Sequence, residues 1–165
     1  MTMPADHLIE RTVKGIVVDE KFMEMALEEA NAAASEGEVP IGAVLVKKGD
    51  IIGIDHNRCI QLNDPTAHAE ILAIRKGGQV LGNYRLIGTT LYVTIEPCPM
   101  CVGAITQARI EKLIYGASDE KTGAVSSKFR LLHDPQLNHR VEVKEGVLKQ
   151  ECSEILQVFF KGRRP

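Results

Sequence analysis

One spaced set of residues constrains this chain more than any other: His68-Ala69-Glu70, and later Pro97-Cys98-Pro99-Met100-Cys101. One imidazole and two thiols from separate segments can hold a single Zn²⁺ ion only if the fold brings those segments together. Three protein ligands with an open fourth position make a catalytic zinc site; four make a structural one. Glu70 lies two residues from the imidazole, where a carboxylate can move protons without binding the metal. The structural alternative is a zinc clip completed by Cys59 or His56 as fourth ligand. The pairing of His-x-Glu with Pro-Cys-x-x-Cys favours the catalytic reading.

The local chemistry agrees. Cys98 and Cys101 are i and i+3, which places both sulfurs on one side of a first helical turn. Pro97 and Pro99 suit a helix start, where a missing N–H costs nothing. A helix N-terminus and a metal both favour thiolate over thiol. Asn63-Asp64-Pro65-Thr66 reads as a second helix start, with Asn63 or Asp64 as cap and Pro65 early in the turn. His68 and Glu70 would diverge by about 200° in mid-helix. Both serve one site only if the ion sits against the helix end.

Coarse patterning predicts an α/β fold. Glu20–Ser35 reads as a helix with Met23, Ala26, Leu27, Ala30 and Ala34 inward, ended by Gly37. Residues 41–46 and 51–55 read as strands around a Lys48-Gly49-Asp50 hairpin turn. A helix follows from Pro65 to about Lys76, stopped by Gly77-Gly78. Thr89–Ile95 is a β-branched strand feeding the Cys98 helix. Further strands are expected near 112–115 and 140–143, with a short helix between them. An amphipathic helix over 150–160 closes the chain, with Cys152 on its buried stripe. Strands alternating with helices imply a sheet covered on both faces, with the site at strand ends.

At 165 residues the chain reads as one domain over residues 19–165. Residues 1–18 read as an N-terminal extension, expected to be mobile. No apolar run is long enough to span a membrane, and no signal pattern opens the chain, so a cytoplasmic location is expected. Four cysteines then argue for metal or free thiols over disulfides. The net charge of −2 is unevenly spread. Asp19–Glu38 carries seven acids and one base, a local −6, which leaves +4 elsewhere. Bases recur late, at Lys121, Lys128, Arg130, Lys161, Arg163 and Arg164. That is compatible with an RNA-binding face and equally with a solvated surface and a basic tail.

Further segments carry a resemblance: Val39-Pro40-Ile41-Gly42-Ala43-Val44, His56-Asn57-Arg58, Asp64 to Glu70, Asn83-Tyr84-Arg85-Leu86, Glu96 to Cys101, Gly116 to Ala124, Asn138 to Val141 and Phe159-Phe160. With them the chain resembles the bacterial tRNA-specific adenosine deaminases of the cytidine deaminase-like zinc deaminase superfamily, from about Phe22 to Arg164. The zinc blocks also resemble bacterial guanine deaminases. The Asp119–Ala124 run and the Asn138–Arg164 segment resemble the tRNA enzymes. The resemblance implies a three-layer α/β/α cytidine deaminase-like fold with a central five-stranded mixed sheet, helices on both faces, and one Zn²⁺ per subunit of a homodimer.

The implied reaction converts adenosine to inosine at the tRNA wobble position, within the anticodon stem-loop of an arginine tRNA with an ACG anticodon. A zinc-activated hydroxide would attack C6, Glu70 would shuttle protons, and ammonia would leave. The implied ligands are His68, Cys98 and Cys101. Asn57 would hydrogen-bond the base, with Ala69, Val39, Ile41 and Pro97 around it. Asp119 and Lys121 would meet neighbouring RNA, and Phe160 and Arg163 the flanking nucleotides. Simpler readings stand beside these: Asn57 as a turn residue, Asp119 and Lys121 as loop charges, Val39 and Ile41 as core. Two other functions remain in view, a small-molecule deaminase acting on free guanine or a cytosine nucleotide, and a zinc-stabilised binding module without catalysis.

Overall fold

The structure is a computed structural model. It describes residues 5–163, with side chains from Thr12 onward. The order is α1 (Ala5–Ser35), β1 (Gly42–Lys47), β2 (Asp50–His56), α2 (Cys59–Leu62), α3 (Ala69–Leu81), β3 (Thr89–Ile95), α4 (Pro99–Gln107), β4 (Lys112–Ala117), a 3₁₀ turn (Leu131–His133), β5 (Glu142–Glu145) and α5 (Lys149–Lys161).

Five strands form one mixed sheet in the order β2-β1-β3-β4-β5. The pairs β1–β2 and β1–β3 are antiparallel, while β3–β4 and β4–β5 are parallel. Alternation along the strands sorts the core into two layers. Ala43, Leu45, Leu91, Val93, Leu113 and Tyr115 face α3 and α4. Val44, Val46, Tyr92 and Ile114 face Phe22, Met23 and Ala26 of α1 and Cys152 of α5. The expected three-layer arrangement is therefore present. The β1–β2 turn puts both Lys48 and Gly49 at positive φ, a conformation matched to the twist of a two-residue hairpin.

Two helices depart from the sequence expectation. α3 begins at Ala69, not at Pro65, because Asn63 turns left-handed to end α2 and Asp64 accepts the Thr66 N–H in a separate turn. It also continues through Gly77-Gly78 to Leu81 and stops at Gly82, whose φ is +61°. Gly77 is there for space: a Cβ at this position would collide with a Leu45 methyl, so the glycine lets α3 lie close on β1. α1 begins at Ala5 and runs unbroken through residue 18. Thr12–Val18 are exposed, and burial begins at Asp19. There Asp19 accepts from Tyr92 Oη at 2.9 Å and from Lys144 Nζ at 2.6 Å. At the far end Gly37, at φ +80°, closes α1 with Glu38 N–H bonded to Ala33 and Gly37 N–H to Ala34. Among the described residues no helix is long and apolar enough to cross a membrane.

The C-terminal ends of β2, β3 and β4 and the start of β1 share one end of the sheet, as the pairs Gly42–His56 and Ile95–Ala117 require. The candidate site is built there.

Candidate active site

Each ligand candidate sits at a helix start. His68 is the N-cap of α3, with extended backbone, so it lies outside the helix while Glu70 lies inside the first turn. This removes the conflict between His68 and Glu70 posed by their i, i+2 spacing. Cys98 is the N-cap of α4, Pro99 opens the helix and Cys101 falls in its first turn. His68 Nδ1 lies 3.6 Å from Cys98 Sγ and 3.5 Å from Cys101 Sγ. A tetrahedral ion with bonds of ~2.3 Å to sulfur and ~2.05 Å to nitrogen separates those atoms by about 3.5 Å. The three donors therefore fit zinc. Neither Cys59 nor His56 joins the cluster among the described residues, so no fourth protein ligand closes it.

The electrostatics suit a metal and a proton carrier. The Cys101 thiol, with the His68 imidazole, holds Cys98 down to about 4. Cys101 is pushed up by the adjacent Cys98 sulfur and by burial. Glu70 is 3 % exposed, and burial raises its pKa. Its Oε2 is a buried polar atom without a hydrogen-bond partner among the described residues. A buried carboxylate oxygen lacking a partner is costly unless a ligand supplies one.

Asn57 follows β2. Its N–H donates to the Ile41 carbonyl at 3.1 Å, and its Oδ1 accepts the Ala69 N–H at 2.8 Å. Because that partner is a donor, the amide oxygen must face Ala69 and the NH₂ must face away. The NH₂ has no hydrogen-bond partner among the described residues. Ala69 is fully buried at the head of α3. Preceding Asn57, His56 is wedged between Glu29 and Glu36, its ring nitrogens 2.6 and 2.9 Å from their carboxylates. Asp55 is held by Arg58 and Lys76 at 2.7 and 2.9 Å. These contacts fix the strand end that presents Asn57.

Beside this lies a cleft of about 510 Å³ lined by Val39, Ile41, Ile95, Asp119, Lys121, Thr122, Leu156 and Phe160. Five of the residues expected to bind substrate thus meet in one cavity. Pro97 does not line the cleft; it is buried next to Cys98 in the chain, its carbonyl accepting the Ala124 N–H. Asp119 is largely committed to its own loop, accepting from Lys121 N–H at 2.9 Å and from the Thr122 hydroxyl at 2.7 Å. Phe160 is exposed and Phe159 partly buried. Arg163 is not brought to the cleft: its guanidinium stacks 4.1 Å from the Phe159 ring centroid and donates to the Gly37 carbonyl at 3.2 Å.

Sequence reasoning missed Glu96 as more than part of a motif. This buried carboxylate accepts the N–H groups of Val125, Ser126 and Ser127 on Oε1, and the Asp119 N–H and Ser127 hydroxyl on Oε2. Five donors on one carboxylate pin the 119–127 loop to the segment that leads into α4. A Cβ at Gly123 would collide with Glu96 and with the Asp119 carbonyl, so a glycine is needed there. The signal in sequence was an acid at the exit of a buried strand.

This fold and donor set define a deaminase domain, and the model of the MafB19-like deaminase family matches residues 17–164. The chain is 54% identical over 147 residues to the tRNA-specific adenosine deaminase of Haemophilus influenzae, covering 88% of this chain and 85% of that one. A solved structure from studies of A-to-I editing by tRNA:A34 deaminases at the wobble position superposes with a TM-score of 0.80 and 51% identity. It covers 82% of this chain and 99% of that one. The guanine deaminase of Bacillus subtilis is more distant, with a TM-score of 0.59 and 35% identity over 86% of this chain and 93% of that one. The chain belongs to the tRNA-specific adenosine deaminase family.

Proposed function

We propose that the protein hydrolyses adenosine to inosine at the first anticodon position of tRNA, with one zinc ion per subunit held by His68, Cys98 and Cys101. The observation that carries the chemistry is the meeting of three donors at zinc spacing with a buried carboxylate whose Oε2 has no hydrogen-bond partner among the described residues. When bound, the ion supplies an acidified water, its pKa lowered from about 15.7 toward ~7.

Glu70 accepts one proton from the attacking water and passes it to the ring nitrogen; it then takes the second from the hydroxyl added to the ring carbon and passes it to the departing amine, which leaves as ammonia. Burial raises its pKa, which makes it a better base than an exposed carboxylate and able to give the proton back. Asn57 donates from its free NH₂ to the base while its oxygen holds the head of α3 in place. Ala69, Val39, Ile41 and Pro97 exclude water around the base. Phe160 offers a ring for a flanking nucleotide, and Lys121 a charge for a phosphate. In this reading Asp119 organises the loop that carries Lys121. Arg163 acts on the flanking side only through Phe159.

The choice of tRNA over guanine rests on the higher identity to the tRNA enzymes. The same reading carries an arginine tRNA with an ACG anticodon as substrate, a homodimer as the working unit and a cytoplasmic location. It also treats residues 19–165 as one deaminase domain preceded by an extension. The test is nucleoside analysis after incubating zinc-loaded protein with that tRNA transcript, and with free guanine in parallel. Inosine in the tRNA with guanine untouched is expected. Xanthine from guanine with unaltered tRNA would overturn the proposal.

A further inference from the structure

The loop pinned by Glu96 continues into Lys128-Phe129-Arg130, which belong neither to the cleft lining nor to the donor cluster. Its backbone is held firmly. The N–H groups of Lys128 and Phe129 both donate to the Gly123 carbonyl at 3.0 Å, and the Leu131 N–H donates to Ala124 at 3.0 Å. Gly123 and Ala124 are themselves tied to Asp119 and to Pro97. On the other side, Ser126 Oγ lies 2.7 Å from Tyr115 Oη, and Tyr115 donates to Glu145 at 2.5 Å. The segment is thus anchored within a few bonds of both cleft and zinc helix.

On this rigid base the side chains are free. Phe129 is 44 % exposed. Lys128 and Arg130 are exposed, and neither forms an ion pair among the described residues. A large ring left in water between two unneutralised cations is the pattern of a single-stranded nucleic-acid contact, in which a base stacks on the ring and phosphates meet the charges. Charge complementarity selects RNA over an apolar protein partner, since two adjacent like charges rim the ring. Rigidity of the backbone lowers the ordering cost of binding.

We propose that Lys128, Phe129 and Arg130 form an additional RNA-binding element, with Phe129 as a stacking platform and its two neighbours as phosphate contacts on the strand flanking the target base. The inference rests on the tRNA reading above, and extends it to residues outside the cleft.

The test is equilibrium binding of the ACG-anticodon tRNA to the zinc-loaded full chain across a salt series, with inosine formation by wild type measured first. K128Q/R130Q should weaken binding and reduce the slope of log K against log[salt] by ~1.4, at ~0.7 per phosphate contact on a single strand. F129L should bind about tenfold more weakly with the slope unchanged, and F129W should restore affinity, because stacking needs an aromatic face and not merely an apolar one. A control K48N, in the β1–β2 turn, should leave affinity and slope as in wild type.

If wild type makes no inosine, the functional reading fails and this element falls with it. If wild type edits tRNA while K128Q/R130Q and F129L bind it with wild-type affinity and slope, the element alone is refuted. A shift of F129L toward a smaller species in sedimentation velocity, with tRNA affinity per site unaltered, would mean that Phe129 meets a second copy of this chain and would likewise overturn the inference.

Discussion

Replacing Glu96 by Gln tests whether one carboxylate organises the substrate loop. The carboxylate accepts four N–H groups and one hydroxyl. Gln retains a single oxygen, which can keep the three N–H groups of Val125, Ser126 and Ser127. Charge-assisted bonds are about twice as strong as neutral ones, so neutralising three of them costs about 2 kcal/mol. The new NH₂ faces the Asp119 N–H. The Ser127 hydroxyl can rotate to accept from it, but the Asp119 N–H cannot, and one orphaned, half-buried donor costs about 1–3 kcal/mol. The total is about 3–5 kcal/mol, which in a domain of this size lowers Tm by about 10 °C.

The assay is reversible urea unfolding, with zinc content and tRNA kinetics measured on the same preparations. KM for tRNA should rise, because Asp119 and Lys121 lose their frame, while zinc content stays near one per chain. The pH dependence has a definite sign. Burial raises the Glu96 pKa, but the hydrogen bonds from the Ser126, Ser127 and Asp119 N–H groups and the Ser127 hydroxyl outweigh it and hold the carboxyl below its ordinary value. Its contribution is therefore present above the unfolded value of ~4.3 and disappears as pH falls through the folded value. The gap in stability between wild type and E96Q should be flat near neutrality and shrink in acid. A loss under ~1 kcal/mol with unchanged KM would refute the clamp.

Three further outcomes follow from the site. Glu70→Gln should keep its zinc and lose ~10²–10⁴ in kcat, because only the proton carrier is removed; metal analysis beside inosine formation checks this, and an active variant would favour a binding module. Asn57→Asp should keep the bond to the Ala69 N–H, where a negative charge at a helix start is favourable, yet lose the NH₂ donor. Its Tm should stay near wild type while kcat/KM falls ~10-fold or more; equal activity would remove Asn57 from base recognition. Chelation should abolish activity and lower Tm, because an ion held by His68, Cys98 and Cys101 would tie the starts of α3 and α4 together, and added zinc should restore both; full activity in demonstrably metal-free protein would contradict the assignment.

Much of the site was legible because its chemistry is local. The Cys-x-x-Cys turn needs only a helix start, and the structure puts Cys98 at the cap and Cys101 one turn in. Sheet patterning was equally readable, since Thr89–Ile95 appears with the expected bounds. Helix ends were less so. Proline at 65 looks like a helix start, but Asn63 and Asp64 spend their polar groups on a turn first, and α3 waits until Ala69. Glycines at 77 and 78 look like a stop, yet Gly77 answers a packing demand from Leu45 that is remote in sequence. The contacts of Arg163 were hidden for the same reason: its partners, Phe159 and Gly37, meet only through the packing of α5 on α1. Glu96 was invisible as a clamp because its donors lie 23 to 31 residues away.

The most direct test of the central claim is the position of editing. Total tRNA incubated with zinc-loaded protein is reverse-transcribed and sequenced, so that inosine reads as guanosine. The account predicts an A-to-G change confined to the first anticodon base of the ACG-anticodon tRNA, and none with Glu70→Gln. Changes scattered over other adenosines, or none in the presence of a filled zinc site, would contradict it.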